Sequence, residues 1–530
     1  MTKTKVLIAD GLAKEGIELI KSNPQVELLE FSAIDRMELK EKIPQIDVLI
    51  VRSRTQVDKD LLENARNLKI VLRAGIGLDN VDVPAATDSG VIVMNAPTGN
   101  IVTTAEHAIA MMFSISRRIP QADSSMRAGK WEKKKYQGSE LRGKTLGLVG
   151  LGNIGKVVGS RARALEMKVI AYDPYVSKEA GAKLGIHLVT LEELLPQADY
   201  ISIHVPLIPA TKHLIGPKQL QMMKKGAYLI NCARGGIVDE TALLEALTSK
   251  HLNGAALDVF ETEPVPADSP LLKQENLIVT PHLGASTDEA QVQVGLEVAE
   301  QIKLFTSDGV LKNAINVPNV TVEQLDVLKP YLVLCEKLAG FASQACDETG
   351  LKKITVRYEG SLSQYNRELL TLSVLKGFLT PLLSTSVNFV NARKLLKERG
   401  IRLEESFEQD CEDYNSLVEV CVEGNDCFRC SGTLFGKNEP RIVSIDRFRI
   451  DAVPEGVLLY TKNVDQPGVI GSMGSLLGTH GVNIARMHLG RDPKKKEAIA
   501  IISVDSKLDS KVEDALKSIK GMVSVKTIEL

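Results

Sequence analysis

The chain has 530 residues, enough to close several hydrophobic cores without disulfide staples. Its 44% hydrophobic and 25% charged residues exclude extended disorder and fibrous repeats, and 65 Lys+Arg against 67 Asp+Glu leave a net charge of -2, without the basic excess that nucleic-acid binding usually brings. No run nears the roughly 18 apolar residues of a membrane span, no signal-peptide core opens the chain, and seven cysteines do not make a secreted disulfide framework. A cytoplasmic protein with no nucleic-acid or membrane partner is expected.

KVLIA, VELLEF, DVLIVR, KIVLRA and VIVMNA alternate with segments of helical period from Lys5 onward. Nearly continuous apolar strands must be covered on both faces, so the spacing predicts a mostly parallel, doubly wound sheet. A long helix is expected from about Ile101 to Ile119. TLGLVG, KVIAYD, YISIHV, AYLINC, GAALDV and LIVTPH then form a second such alternation between positions 145 and 282. The helical pattern at 287–305 carries the chain back, which makes the first domain discontinuous.

From about Val317 longer helices and strands such as LVEVCVEG and SGTLFG predict an α+β unit. After VPEG, a strand, helix, strand, hairpin turn at Arg491 to Lys496, strand, helix and strand follow in the βαββαβ order. The expected domains are 1–98 with 286–317, then 99–285, 318–453 and 454–530.

Gly150-x-Gly152-x-x-Gly155 follows a predicted strand and opens a helical pattern. The first glycine permits a tight turn, the second lets the backbone approach a pyrophosphate, and the third lets helix and strand pack closely. Free N–H groups and partial positive charge at the helix start suit the phosphates. Asp173 ends the next strand, 18 residues beyond Gly155, where a carboxylate can accept from ribose hydroxyls. Pro174 and Tyr175 supply no cation for a 2′-phosphate, so NAD is expected rather than NADP.

Hydride transfer from an alcohol needs a base for the hydroxyl proton and a cation near the forming carbonyl. His204 and His282 both end predicted strands of the second unit, and position alone does not separate them. His282 is favoured by Glu263 in FETEP, since a neighbouring carboxylate raises an imidazole and fixes its tautomer. Arg234 in NCARGG supplies a permanent cation, with Gly235 and Gly236 leaving room around it.

GLVGLGNIGKVV, AYDPY, NCARGGIVDE, AALDVFETEP and TPHLGAST resemble the D-isomer-specific 2-hydroxyacid dehydrogenases across nearly the whole chain. The resemblance implies two doubly wound parallel-sheet domains, a flavodoxin-like substrate domain and a Rossmann NAD domain, followed by an α+β intervening domain and a ferredoxin-like regulatory domain of the ACT type. It places the catalytic set on Arg234, Glu263 and His282. It also implies cofactor contacts at Asn153, Ile154, Val205, Cys232, Ala233, Asp258 and Gly284, beside Gly150, Gly152, Gly155 and Asp173.

Arg52 and Arg73 match positions that bind substrate phosphate in the resembling enzymes, and Gly75 and Gly77 are expected to expose backbone N–H groups to the substrate carboxylate, although Ile76 stands between them where the family often has a polar residue. The implied reaction is oxidation of 3-phospho-D-glycerate to 3-phosphohydroxypyruvate, the first step toward L-serine, in a homotetramer. The terminal stretch NVDQPGVIGSMGSLLGTHGVNIARMHLGR resembles an ACT domain, which makes L-serine the expected effector, with Asn463, Asp465 and Asn483 facing it. Another 2-hydroxyacid reductase would not require the two arginines, and a non-catalytic regulator would not require the trio. Cys411, Cys421, Cys427 and Cys430 cluster in sequence, and strand alternation divides them between faces, so no metal is expected.

Overall fold

A computed structural model describes residues 3–346, 351–365, 367–384, 387–424 and 427–530. The chain divides into two compact units, one of residues 1–11, 20–95 and 300–530, the other of residues 12–19 and 96–299.

Strands β1 (Thr4–Ile8), β2 (Val26–Glu30), β3 (Val48–Val51), β4 (Ile70–Arg73) and β5 (Ile92–Asn95) form a parallel sheet in the order β2-β1-β3-β4-β5. This is the flavodoxin-like order. All four residues of β3 are buried, as a sheet covered on both faces requires.

In the second unit, β6 (Thr145–Val149), β7 (Lys168–Tyr172), β8 (His187–Leu188), β9 (Tyr200–Ile203), β10 (Tyr228–Asn231), β11 (Gly254–Leu257) and β12 (Leu277–Val279) pair in parallel in the order β12-β11-β10-β9-β6-β7-β8. The direction of winding reverses between β6 and β9, the point where such sheets bind ligands. Alternation divides the cores cleanly: Leu229, Ala255 and Leu257 face one, Tyr228, Ile230 and Ala256 the other. The two-residue β8 has too little apolar sequence to announce itself.

The expected helix ends earlier than its apolar pattern. It spans Ile101–Arg117, Arg118 turns left-handed at φ 51°, and a second helix runs Ile119–Arg127. Pro120 has no N–H to donate to the Ser116 carbonyl, which accepts from Ser139 N at 2.9 Å instead.

The remaining strands are β13 (Lys353–Gly360), β14 (Arg402–Glu408), β15 (Ser416–Glu423), β16 (Cys427–Phe435), β17 (Glu439–Ile445) and β18 (Phe448–Ala452), in a mixed six-stranded sheet, then β19 (Val457–Val464), β20 (Ile484–Asp492), β21 (Glu497–Val504) and β22 (Met522–Glu529), an antiparallel sheet ordered β20-β21-β19-β22. The last sheet has two apolar faces. Leu459, Ala500 and Ile502 face its own helices, Val469–Thr479 and Ser510–Lys517, whereas Leu458, Tyr460, Ile499, Ile501 and Ile528 join the core of the six-stranded sheet. There Tyr460 packs edge-on against Phe341, with ring centroids 5.6 Å apart. Among the described residues, no helix is long and apolar enough to cross a membrane.

The helices Val322–Ala345 and Arg367–Leu379 cross over that core at a glycine. A Cβ at Gly377 would lie 2.0 Å from the Glu336 carbonyl oxygen, so any larger residue must push the helices apart. Alanine should therefore destabilise the fold by about 1–3 kcal/mol despite its better helix propensity. Thermal unfolding of Gly377→Ala checks this, and an unchanged or raised midpoint would contradict the close crossing.

Candidate active site

The glycine-rich turn lies at the switch between β6 and β9. Gly150 has φ 102°, and a Cβ there would lie 2.6 Å from the His204 carbonyl oxygen and 2.9 Å from Val205 Cγ1. A Cβ at Gly155 would meet the Gly150 oxygen at 2.2 Å, whereas one at Gly152 would find no atom within 4 Å. The first and third glycines thus serve the turn and its packing, and the second leaves open space.

The helices starting at Lys59, Val83, Lys178, Leu191 and Glu240 are each capped by a side chain, Asp58, Asp82, Ser177, Thr190 or Asp239. Asn153–Ala164 starts on Gly152 with no side-chain cap, which leaves first-turn N–H groups of Asn153, Ile154 and Gly155 for an anion. Asp173 is pinned beside the turn, accepting from Leu151 N at 2.8 Å and Tyr175 N at 2.9 Å. These residues fit a dinucleotide: open space over Gly152, an uncapped helix start for phosphate and a carboxylate for ribose. Cys232, just after β10, is buried and its thiol is pushed up by that burial, while the next residue, Ala233, is half-buried.

Arg234, Glu263 and His282 follow β10, β11 and β12 at the same carboxyl edge of the sheet. Glu263 Oε2 lies 2.8 Å from His282 Nδ1, and Glu263 Oε1 accepts from Phe260 N at 3.0 Å. The hydrogen bond to Glu263 raises the imidazole above its ordinary 6.5, outweighing desolvation. Desolvation pushes the Glu263 carboxyl up, but its bonds to His282 and the Phe260 N–H prevail and hold it below 4.5. The turn carrying Arg234 is tied by buried Asn231, whose Nδ2 donates to the Arg234 carbonyl at 2.9 Å and whose Oδ1 accepts from Ala233 N at 3.0 Å. A Cβ at Gly235 would sit 1.8 Å from the Phe260 oxygen, so the Arg234 turn rests directly on the segment that leads to Glu263.

His204 is a different kind of histidine. Its Nε2 meets Ser202 Oγ at 2.9 Å, and burial pushes it down to about 4. That burial favours the neutral ring, and the residue belongs to the packing of the switch point, where its Cβ lies beside Gly155.

Asp258, expected only as a cofactor contact, has a fully buried side chain whose oxygens are engaged beneath the 280–284 loop. It accepts from Thr280 Oγ1 at 2.5 Å, Leu283 N at 2.7 Å and Gly284 N at 2.8 Å, with His107 Nε2 3.2 Å away. His282 N donates to the Asp258 carbonyl at 2.9 Å. Thr104 Oγ1 donates to the Gly284 carbonyl at 3.0 Å. His107 and Thr280 were not anticipated. Their signals were present: Thr280 is two residues before His282, and His107 lies within the apolar stripe Thr104, Ala108, Met111 and Ile115 of its helix.

In the first unit, Arg52 follows β3 and Arg73 ends β4, with Val51 and Arg73 paired in register. Both leave the carboxyl edge of adjacent strands and are half-buried. Asp10 accepts from Arg52 N at 2.7 Å, Thr55 N at 3.0 Å and Thr55 Oγ1 at 2.6 Å, which sets the loop after β3. Gly75, at φ 143°, lies under the Arg73 guanidinium, where a Cβ would be 1.7 Å from Nη1. Gly77 follows in the same half-buried loop.

The three regulatory candidates are held by different neighbours and do not hydrogen-bond to one another. Asn463 is buried and donates to the Val464 carbonyl at 2.8 Å, Asp465 pairs with Arg491 at 2.8 Å, and Asn483 donates to Asp505 at 2.7 Å. Within one chain they do not form a shared cradle.

Residues 109–284 match the D-isomer specific 2-hydroxyacid dehydrogenase NAD binding domain, 327–446 the D-3-phosphoglycerate dehydrogenase intervening domain and 457–521 the ACT domain. The chain is 43% identical to D-3-phosphoglycerate dehydrogenase of Archaeoglobus fulgidus, over 99% of this chain and 100% of that one. To the enzyme of the same name from Methanocaldococcus jannaschii it is 41% identical, again over 99% and 100%. Among solved structures, the NAD-dependent formate dehydrogenase from Staphylococcus aureus in complex with NAD is similar at 30% identity and a TM-score of 0.54, over 60% of this chain and 100% of that one.

The Glu263–His282 pair makes a prediction independent of any substrate. Nuclear magnetic resonance titration should find His282 above a solvated histidine, and Glu263→Gln should lower it by removing the anion that favours the imidazolium. An unchanged titration would show that the pair is not coupled.

Proposed function

The chain belongs to the D-3-phosphoglycerate dehydrogenase family, and we propose on that premise that it oxidises 3-phospho-D-glycerate to 3-phosphohydroxypyruvate with NAD, the first step of L-serine biosynthesis. The observation that carries this reading is the 2.8 Å Glu263–His282 pair at the sheet edge shared with Arg234 and the glycine-rich turn. Gly150, Gly152, Asn153, Ile154, Gly155, Asp173, Val205, Cys232, Ala233, Asp258 and Gly284 would hold NAD, which would supply the acceptor for the hydride.

Nδ1 of His282 is committed to Glu263, which leaves Nε2 to take the proton of the substrate hydroxyl. Glu263 stabilises the imidazolium as it forms. Arg234 holds the substrate carboxylate and polarises the oxygen that becomes the ketone. Arg52 and Arg73 receive the phosphate, and Gly75 and Gly77 offer backbone N–H groups to the carboxylate. Asp258 keeps the 280–284 loop in place. Because the base acts in its neutral form and its pKa is raised above 6.5, oxidation accelerates as pH rises through that higher value.

The same reading assigns 1–98 with 286–317 to the substrate, 99–285 to NAD, 318–453 to an intervening domain and 454–530 to control by L-serine through Asn463, Asp465 and Asn483. The chain works in the cytoplasm as a homotetramer.

Reduced nicotinamide should appear, followed by absorbance, with 3-phosphoglycerate and far more slowly with D-glycerate. Arg73→Ala should raise KM for the phosphorylated substrate about tenfold or more while changing D-glycerate turnover little. Equal efficiency toward the two substrates in the unaltered enzyme would remove the phosphate assignment, and full turnover in His282→Ala would remove the base. Added L-serine should lower the rate, and light scattering should return the mass of four chains. Insensitivity to serine, or a smaller mass, would overturn those two assignments.

A further inference from the structure

Strands β15 and β16 pair antiparallel with Cys421 opposite Arg429 and Cys427 opposite Glu423. Cys427 and Arg429 are two positions apart, so Cys421, Cys427 and Arg429 project from one face of the sheet, the two cysteines as diagonal neighbours. Their Sγ atoms are 3.0 Å apart, within about 1 Å of a disulfide bond length. Cys430 lies on the opposite face, fully buried among apolar side chains, so the CFRC spacing does not bring Cys427 and Cys430 to one ligand.

The pair is asymmetric in a way that suits stepwise exchange. Cys427 is exposed and Cys421 is buried, with burial first and Cys427 second pushing the Cys421 thiol up to about 12. Arg429 stands on the same face beside the two sulfurs, and its guanidinium also pairs with Glu419 at 3.6 Å.

We propose that Cys421 and Cys427 are a redox-active dithiol that takes low-molecular-weight disulfides as its oxidant. The Cys427 thiolate attacks one sulfur of the small disulfide, breaking its S–S bond, forming a mixed disulfide and releasing one small thiol. Cys421 then loses its proton to solvent as its sulfur attacks Cys427, forming the internal S–S bond and releasing the second small thiol. The protein dithiol is oxidised by two electrons and the small disulfide is reduced to two thiols, which take up the two protons.

The test uses the full-length protein and oxidised glutathione. Reduced protein should titrate seven thiols after denaturation, and oxidised protein five, two fewer than the seven cysteines of the chain. Intact mass should fall by two hydrogens, peptide mapping should join Cys421 to Cys427, and dithiothreitol should restore all thiols. Cys427→Ser, at an exposed position, should retain its full complement, while Cys411→Ser should still lose two. Seven thiols persisting, a lasting glutathione adduct on Cys427, or a bridge between other cysteines would each overturn the proposal.

Discussion

A single buried carboxylate organises the carboxyl edge of the seven-stranded sheet. Asp258 has no exposed surface, and an unpaired charge in such a place would cost several kcal/mol. Desolvation pushes its carboxyl up, but His107, Thr280 and the Leu283 N–H together keep it below the ordinary carboxylate range. Those donors are the means by which the loop after β12 is held. His282 in that loop adopts φ 55°, a left-handed conformation that a non-glycine residue keeps only when its surroundings fix it. The His282 imidazole is therefore aimed by backbone bonds behind it.

Negative charge gathers around the same edge. Glu240 and Glu261 each accept from the other's backbone N–H, at 2.6 and 3.3 Å, and His213 Nε2 lies 3.2 Å from Glu261. This clasp joins the start of the Glu240–Thr248 helix to the loop that carries Glu263. Burial, and then the neighbouring Glu261 and Glu263, push the Glu240 carboxyl up. The acidic member of the pair is thus supported from two directions, by the Arg234 turn packed through Gly235 and by this clasp.

Much of the fold was readable because period and punctuation agree. In the two parallel sheets the apolar runs coincide with strands, and Gly150 and Gly155 stand where only glycine fits. Where reading failed, the deciding forces were not in the local pattern. The break at Arg118 depends on a carbonyl that finds its donor at Ser139, and β8 is too short for periodicity to register. Motif spacing could bring Arg234, Glu263 and His282 to one edge, but Asp258 owes its positioning role to contacts with residues 22 to 26 positions away and with His107 far earlier in the chain. The regulatory trio shows the converse. Residues grouped by a motif each have a separate neighbour, the Val464 carbonyl for the Asn463 amide nitrogen, Arg491 for Asp465 and Asp505 for Asn483.

Tyr460, Ile499, Ile501 and Ile528 give one face of the last sheet to the core that also contains Phe341 and Phe428. Neither partner owns a complete interior. Parting the two sheets at 453–456 would bare apolar surface on both sides at once, so a change of volume on either side is felt by the other.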